Sequence, residues 1–135
     1  MEFVDSFFEG AKYATAVFIS DKARKALIKL AKKNRQAAGH VLKRLEFYAG
    51  AGLRLYEGDK KPIRHEWDGV YRIGEPSSLF RLLGFYDAED KTSFVIMDAY
   101  QKHGQSLSSG DRGRIDEVAK VRKNQLWRKR TRGSP

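Results

Sequence analysis

A chain of 135 residues and 15.5 kDa suits one domain, and 41% hydrophobic with 12% aromatic residues supplies a core, which excludes a wholly disordered chain despite 33% charged residues. The lack of cysteine excludes disulfides, thiolate zinc sites and a cysteine nucleophile, and no apolar run approaches the about 20 residues of a transmembrane helix. A net charge of +10 with a pI near 9.9 points to a polyanionic partner, most often nucleic acid.

The first ten residues carry Glu2, Asp5 and Glu9 and lack the basic stretch and apolar run of a secretory signal, so a cytoplasmic location is expected. Phe3, Val4, Phe7 and Phe8 stand about one helical turn apart, which predicts a short amphipathic segment that caps the core or contacts a second copy of the chain. Residues 14–19 end in Val17, Phe18 and Ile19 and read as a strand running into a helix start at Ser20 and Asp21. Ala23, Ala26, Leu27, Leu30 and Ala31 then mark one buried helical face. After a break at 34–39, Ala38, Val41, Leu42, Leu45 and Tyr48 mark a second helix that stops near Gly50 to Gly52, and the two form a hairpin. A polar loop at 57–62 precedes three β-rich runs, 70–74, 79–86 and 93–100, which make an antiparallel meander. Beyond a Gly/Ser loop at 104–110, Asp111 starts a helix with Ile115, Val118 and Ala119 inside, and 128–132 read as a frayed basic tail.

Charge is uneven along this order. Residues 112–135 hold 9 basic and 2 acidic side chains, and 20–44 hold 9 basic residues against Asp21 alone. On the first helix and just after it, Lys22, Arg24, Lys25, Lys29, Lys32, Lys33 and Arg35 form a surface suited to docking on phosphates, or else a solvated helix face. His40 and His65 lack the carboxylates and further histidines of a metal site, so none is expected. Gly50-Ala51-Gly52 lacks the lysine of a phosphate-cradling loop.

Three stretches carry a resemblance: Val70-Tyr71-Arg72-Ile73, then Leu79-Phe80-Arg81-Leu82-Leu83-Gly84-Phe85, then Phe94 to Tyr100 followed by Gln101-Lys102-His103, with Ala119 and Arg122 downstream. In the order β, α, α, β, β, β, α these resemble the RelE/HigB toxin superfamily, particularly its phage-associated HigB-like members. The resemblance covers about 14–125, with 1–13 as an N-terminal extension and 126–135 as a basic C-terminal tail. Many relatives carry Glu-Leu-Arg where Arg72-Ile73-Gly74 stands here, and close on a basic pair where this chain has Lys102-His103.

The resemblance implies an α+β, RelE-like fold: a helical hairpin on a small, mostly antiparallel sheet, with a C-terminal helix and basic tail. It implies a ribosome-associated, metal-independent endoribonuclease with no cofactor, which cuts messenger RNA by 2′-OH attack and is held in check by a cognate antitoxin. Arg81 would then stabilise the phosphorane-like oxygens, His103 would move a proton, Lys102 would bind phosphate and Tyr100 would stack on a base, with Arg72 as a second phosphate ligand. Tyr71 could stack too, though core packing suits it better. For Arg81 the competing expectation is a salt bridge to Asp98 or Glu75. Whether Arg72 and Arg81 share a sheet face depends on the turn between them: a two-residue centre puts them together, a three-residue turn apart. Two other functions are compatible with the sequence: a non-catalytic, ParE-like inhibitor of DNA gyrase, and a basic, phage-encoded nucleic-acid-binding module that works through its C-terminal segment.

Overall fold

The computed structural model describes residues 1–102 and 108–130. Its elements run β1 (Glu2–Phe8), β2 (Ala16–Ser20), α1 (Asp21–Lys33), α2 (Arg35–Ala51), a 3-10 turn (Leu53–Tyr56), β3 (Ile63–His65), β4 (Tyr71–Glu75), β5 (Phe80–Tyr86), β6 (Ser93–Gln101), α3 (Ser109–Lys123) and β7 (Trp127–Lys129). The strands make one open sheet in the order β3-β4-β5-β6-β2-β1-β7. Pairing is antiparallel except for β2 with β6 and β1 with β7. The fold is thus α+β and mostly antiparallel as expected, on a seven-stranded sheet larger than the small one foreseen.

Local chemistry sets the helix limits. The Ser20 hydroxyl accepts from the Ala23 amide (3.2 Å) and donates to the Met97 carbonyl (2.8 Å), so one side chain starts α1 and fastens it to β6. Asp21 in the first turn and Lys32 and Lys33 in the last match the helix dipole. Asn34 ends α1 and starts α2, its side chain accepting from Ala37 N at 3.0 Å. At α3, Ser108 and Asp111 form a reciprocal capping box.

The sheet carries helices on both faces. The hairpin buries Ala23, Leu27, Leu30, Val41 and Leu45 against Val17, Ile19, Ile73, Leu82, Phe94 and Ile96. On the other face Ile115, Val118 and Ala119 of α3 cover Phe18, Leu83, Phe85, Val95 and Met97. Trp67 Nε1 donates to Asp116 (2.8 Å), tying the β3–β4 connection to α3. Gly84 is required at a bulge between β5 and β6, because a Cβ there would overlap the Val95 carbonyl oxygen and the Phe94 ring. No helix among the described residues is long and apolar enough to cross a membrane.

Two sequence expectations are corrected. The segment at 3–8 is strand β1, not a helical turn: it pairs antiparallel with β2 and parallel with β7. An irregularity between Ser6 and Phe8 places one extra residue there, so adjacent Phe7 and Phe8 both pack on the hairpin-side core. That bulge broke the period-2 signal and imitated a helical spacing. The start of the basic tail is likewise ordered, since Trp127–Lys129 form β7, Trp127 lies edge-on to Phe85 (5.5 Å), and Arg130 N donates to the Val4 carbonyl (2.8 Å). β3 and the 3-10 turn, both inside or beside the expected loop, are further elements.

Candidate functional site

The β4–β5 register settles the parity question. Glu75 faces Phe80, Gly74 faces Arg81 and Arg72 faces Leu83 across a four-residue loop, 76–79, centred on Ser77 and Ser78. Arg72 and Arg81 therefore share a face, because side chains alternate with period 2. Glu75 builds the loop by accepting from the Ser77 hydroxyl (2.6 Å), the Ser78 amide (2.8 Å) and the Ser78 hydroxyl (2.8 Å). Leu79 closes it in the left-handed region (φ 58), and its carbonyl receives Lys102 N at 2.9 Å, which prolongs the β5–β6 ladder.

Tyr100 sits directly opposite Arg81 on β6, and Arg64 directly opposite Arg72 on β3. All four belong to the α3 face, away from the helical hairpin. Arg81 is only 6% exposed. Its Nη1 donates to the Phe80 carbonyl (3.2 Å), while its buried Nε has no partner among the described residues. The guanidinium lies across Gly74, where a Cβ would stand 3.0 Å from Nη1. Burial first, then the Arg72 cation, pull its pKa below the ordinary value, with Tyr100 and Asp111 opposing. Arginine nonetheless stays charged at any physiological pH.

Neither expected salt bridge of Arg81 forms. Asp98 is taken by Arg114, which grips both carboxylate oxygens (3.0 and 2.9 Å), with Lys22 at 3.7 Å. Glu75 is taken by the loop serines, with Arg44 at 3.9 Å. Arg72 Nε lies 2.9 Å from Glu66 Oε1, both largely buried. Lys102 Nζ lies 3.2 Å from Asp111 Oδ2 beneath the start of α3.

Tyr100 packs under the Arg114 guanidinium, 4.5 Å from its ring centre. Its hydroxyl is buried and turned toward the Asp111 carboxylate. Burial, then the neighbouring Asp111 carboxylate, raise its pKa well above the usual phenol value, so it is a neutral proton-bearing group. Asp111 goes the other way: burial raises it, but the Ser108 amide (2.7 Å), the nearby Tyr100, the Ser108 hydroxyl (3.0 Å) and Lys102 together lower it to about 2.

Lys22, Lys25, Lys29, Lys32, Lys33 and Arg35 are exposed, whereas Arg24 is partly withdrawn into an ion pair with Asp5 (2.7 Å). This basic surface lies on the hairpin side of the sheet, across from Arg81. Tyr71 packs on the hairpin-side core, edge-on to Tyr86 (5.3 Å), in keeping with its structural reading. His103 lies outside the described residues. Among the described residues no three His, Asp or Glu side chains gather in a way that could hold a metal ion.

Sequence reasoning missed Arg64, Glu66, Asp111 and Arg114. Asp111 carried a signal in the Ser108-x-x-Asp111 capping pattern. Arg64 carried none, since a three-residue edge strand is too short for alternation to register. No protein-family model matches the chain, and no curated protein matches it.

Proposed function

We propose that this protein is a toxin-like endoribonuclease that cuts messenger RNA on the ribosome, in the cytoplasm, and is restrained by a small antitoxin. The observation that carries the reading is Arg81: a buried guanidinium with a free Nε, no carboxylate partner among the described residues, and Tyr100 and Arg72 as neighbours on one sheet face. A buried cation that makes no ion pair among the described residues is suited to an anion from outside.

In the proposed reaction the ribose 2′-oxygen attacks the adjacent phosphorus, the P–O5′ bond breaks, and a 2′,3′-cyclic phosphate and a 5′-hydroxyl result. Arg81 stabilises the negative charge that grows on the non-bridging oxygens. The neutral Tyr100 hydroxyl exchanges its Asp111 neighbour for the same oxygens or for the leaving oxygen, to which it donates. One proton leaves the 2′-hydroxyl and one reaches the departing 5′-oxygen; His103, placed next to Lys102 in sequence, serves one of these transfers as base or acid, and water serves the other. The ion pairs of Arg72 with Glu66 and of Lys102 with Asp111 make these two cations poorer phosphate ligands and so favour the second reading, a non-catalytic nucleic-acid or gyrase binder whose contacts lie elsewhere, as on the exposed hairpin lysines.

Cleavage of ribosome-bound messenger RNA separates the two. Arg81→Ala is expected to slow cleavage about a hundredfold or more, with ribosome binding little changed. A 2′-deoxy substitution at the cut site should abolish cleavage. Growth arrest with intact messenger RNA in the unaltered protein would transfer the assignment to the binding reading.

A further inference from the structure

The exposed end of the arginine row is a site of its own. Arg64 faces Arg72 across β3–β4, and Arg72 neighbours Arg81 diagonally across β4–β5, so three guanidinium side chains step from the edge strand to the buried cation on one face. Arg64 also lowers the pKa of Arg81, as expected of a cation within electrostatic reach. Adjacent strands stand about 4.8 Å apart, so the row spans about 10 Å. A nucleic-acid strand presents more than one phosphate over that length.

The three arginines differ in their partners. Arg72 is neutralised by Glu66. Arg81 is buried. Arg64 is exposed and makes one long hydrogen bond, from Nε to the Lys61 carbonyl (3.4 Å), which leaves the two terminal nitrogens, the fork that matches a phosphate, without a partner among the described residues. The groove at this edge is also lined by Glu57, Asp59 and Glu66. Glu66 is held by Arg72, whereas Glu57, which accepts from the neutral Tyr86 hydroxyl (2.7 Å), and Asp59 keep their charge and repel a phosphate from their side of the groove.

We propose that Arg64 binds a backbone phosphate of single-stranded RNA, next along the strand from the phosphate held by Arg81. This rests on the nuclease reading for the second half of the statement, while the phosphate contact stands by itself. Arg64 supplies binding that is equal in ground and transition states, so it acts on KM and leaves kcat alone.

The test compares Arg64→Ala with Lys123→Ala, which removes the same charge from the far end of α3, using a fluorescent single-stranded RNA across a salt series and a cleavage assay. Arg64→Ala should raise KM about tenfold with kcat changed less than about threefold, and should lower the slope of log affinity against log salt by about 0.7, the value for one lost single-strand contact. Arg64→Lys should restore the slope and only part of the KM. If Arg64→Ala behaves as Lys123→Ala does, the proposal is overturned. If the protein binds RNA without cutting it, the nuclease reading fails, yet the slope still decides: a fall of about 0.7 for Arg64→Ala alone upholds the phosphate contact, and no fall removes it. Failure of the unaltered protein to bind RNA removes both.

Discussion

Gly74 and Arg81 face each other across the β4–β5 ladder, and the missing side chain of one makes room for the guanidinium of the other. An arginine at 74, as the resembled family often carries, would set its Cβ 3.0 Å from Arg81 Nη1, so the Arg81 guanidinium would have to shift, and would add a second cation beside it. Gly74→Arg is therefore expected to lower cleavage, not raise it, by about a hundredfold, because displacement of a charge-stabilising group by about 1 Å has effects of that size. Initial rates on ribosome-bound RNA check this, and a faster variant would show that Gly74 makes no room that matters. Asp111 gives a pH prediction. Its folded pKa is depressed to about 2 from 3.8, so its contribution to stability is whole above about pH 4 and is lost as pH falls through about 2. Urea midpoints between pH 2 and 6 should fall less steeply toward acid in Asp111→Asn than in the unaltered chain.

Among the elements, β7 has the least local support and the most consequence. It is three residues long, it hydrogen-bonds to β1 in parallel, and its Trp127 covers Phe85 on the α3 side. Asp5 of β1 receives Arg24 from α1 (2.7 Å) and Arg130 from beyond β7 (3.5 Å), while Arg130 also reaches Asp21 (3.2 Å). One buried carboxylate thus ties together the helix, the strand and the end of the described chain. Trp127→Ala should cost about 2 kcal/mol in denaturant unfolding, below the about 3–5 kcal/mol of a fully buried tryptophan, because the ring is half-buried. No measurable loss would mean β7 is marginal. Truncation after Gln125 removes this strand as well as basic charge, so loss of function on truncation cannot by itself assign function to the charge. Arg128→Glu, at an exposed β7 position, separates the two.

At the scale of the molecule, the +10 charge is shared between the sheet's two sides: the lysine surface on the hairpin and the arginine row under α3. RNA or ribosome affinity should fall steeply with salt, and reversing Lys29, Lys32 and Lys33 to glutamate should reduce the slope by about 2 or more, at about 0.7 per single-strand contact. An unchanged slope would show that the hairpin lysines are a solvated face.

The sequence by itself determined the two hairpin helices, the three-strand meander and α3, because each carries its own periodicity; the break expected at 34–39 shrinks to the single cap residue Asn34, and α3 starts at Ser109, two residues before the expected Asp111. It named Arg72, Arg81, Tyr100 and Lys102 but could not say that the first three share a face, since that turned on the length of one loop. Tertiary structure alone decided β1, β3 and β7, whose short or bulged strands are stabilised by partners far away in sequence. It also decided that Arg81 keeps its free nitrogen while Asp98 and Glu75 serve other partners, because ion-pair choice depends on which side chains the fold brings within about 4 Å, a distance no one-dimensional pattern encodes.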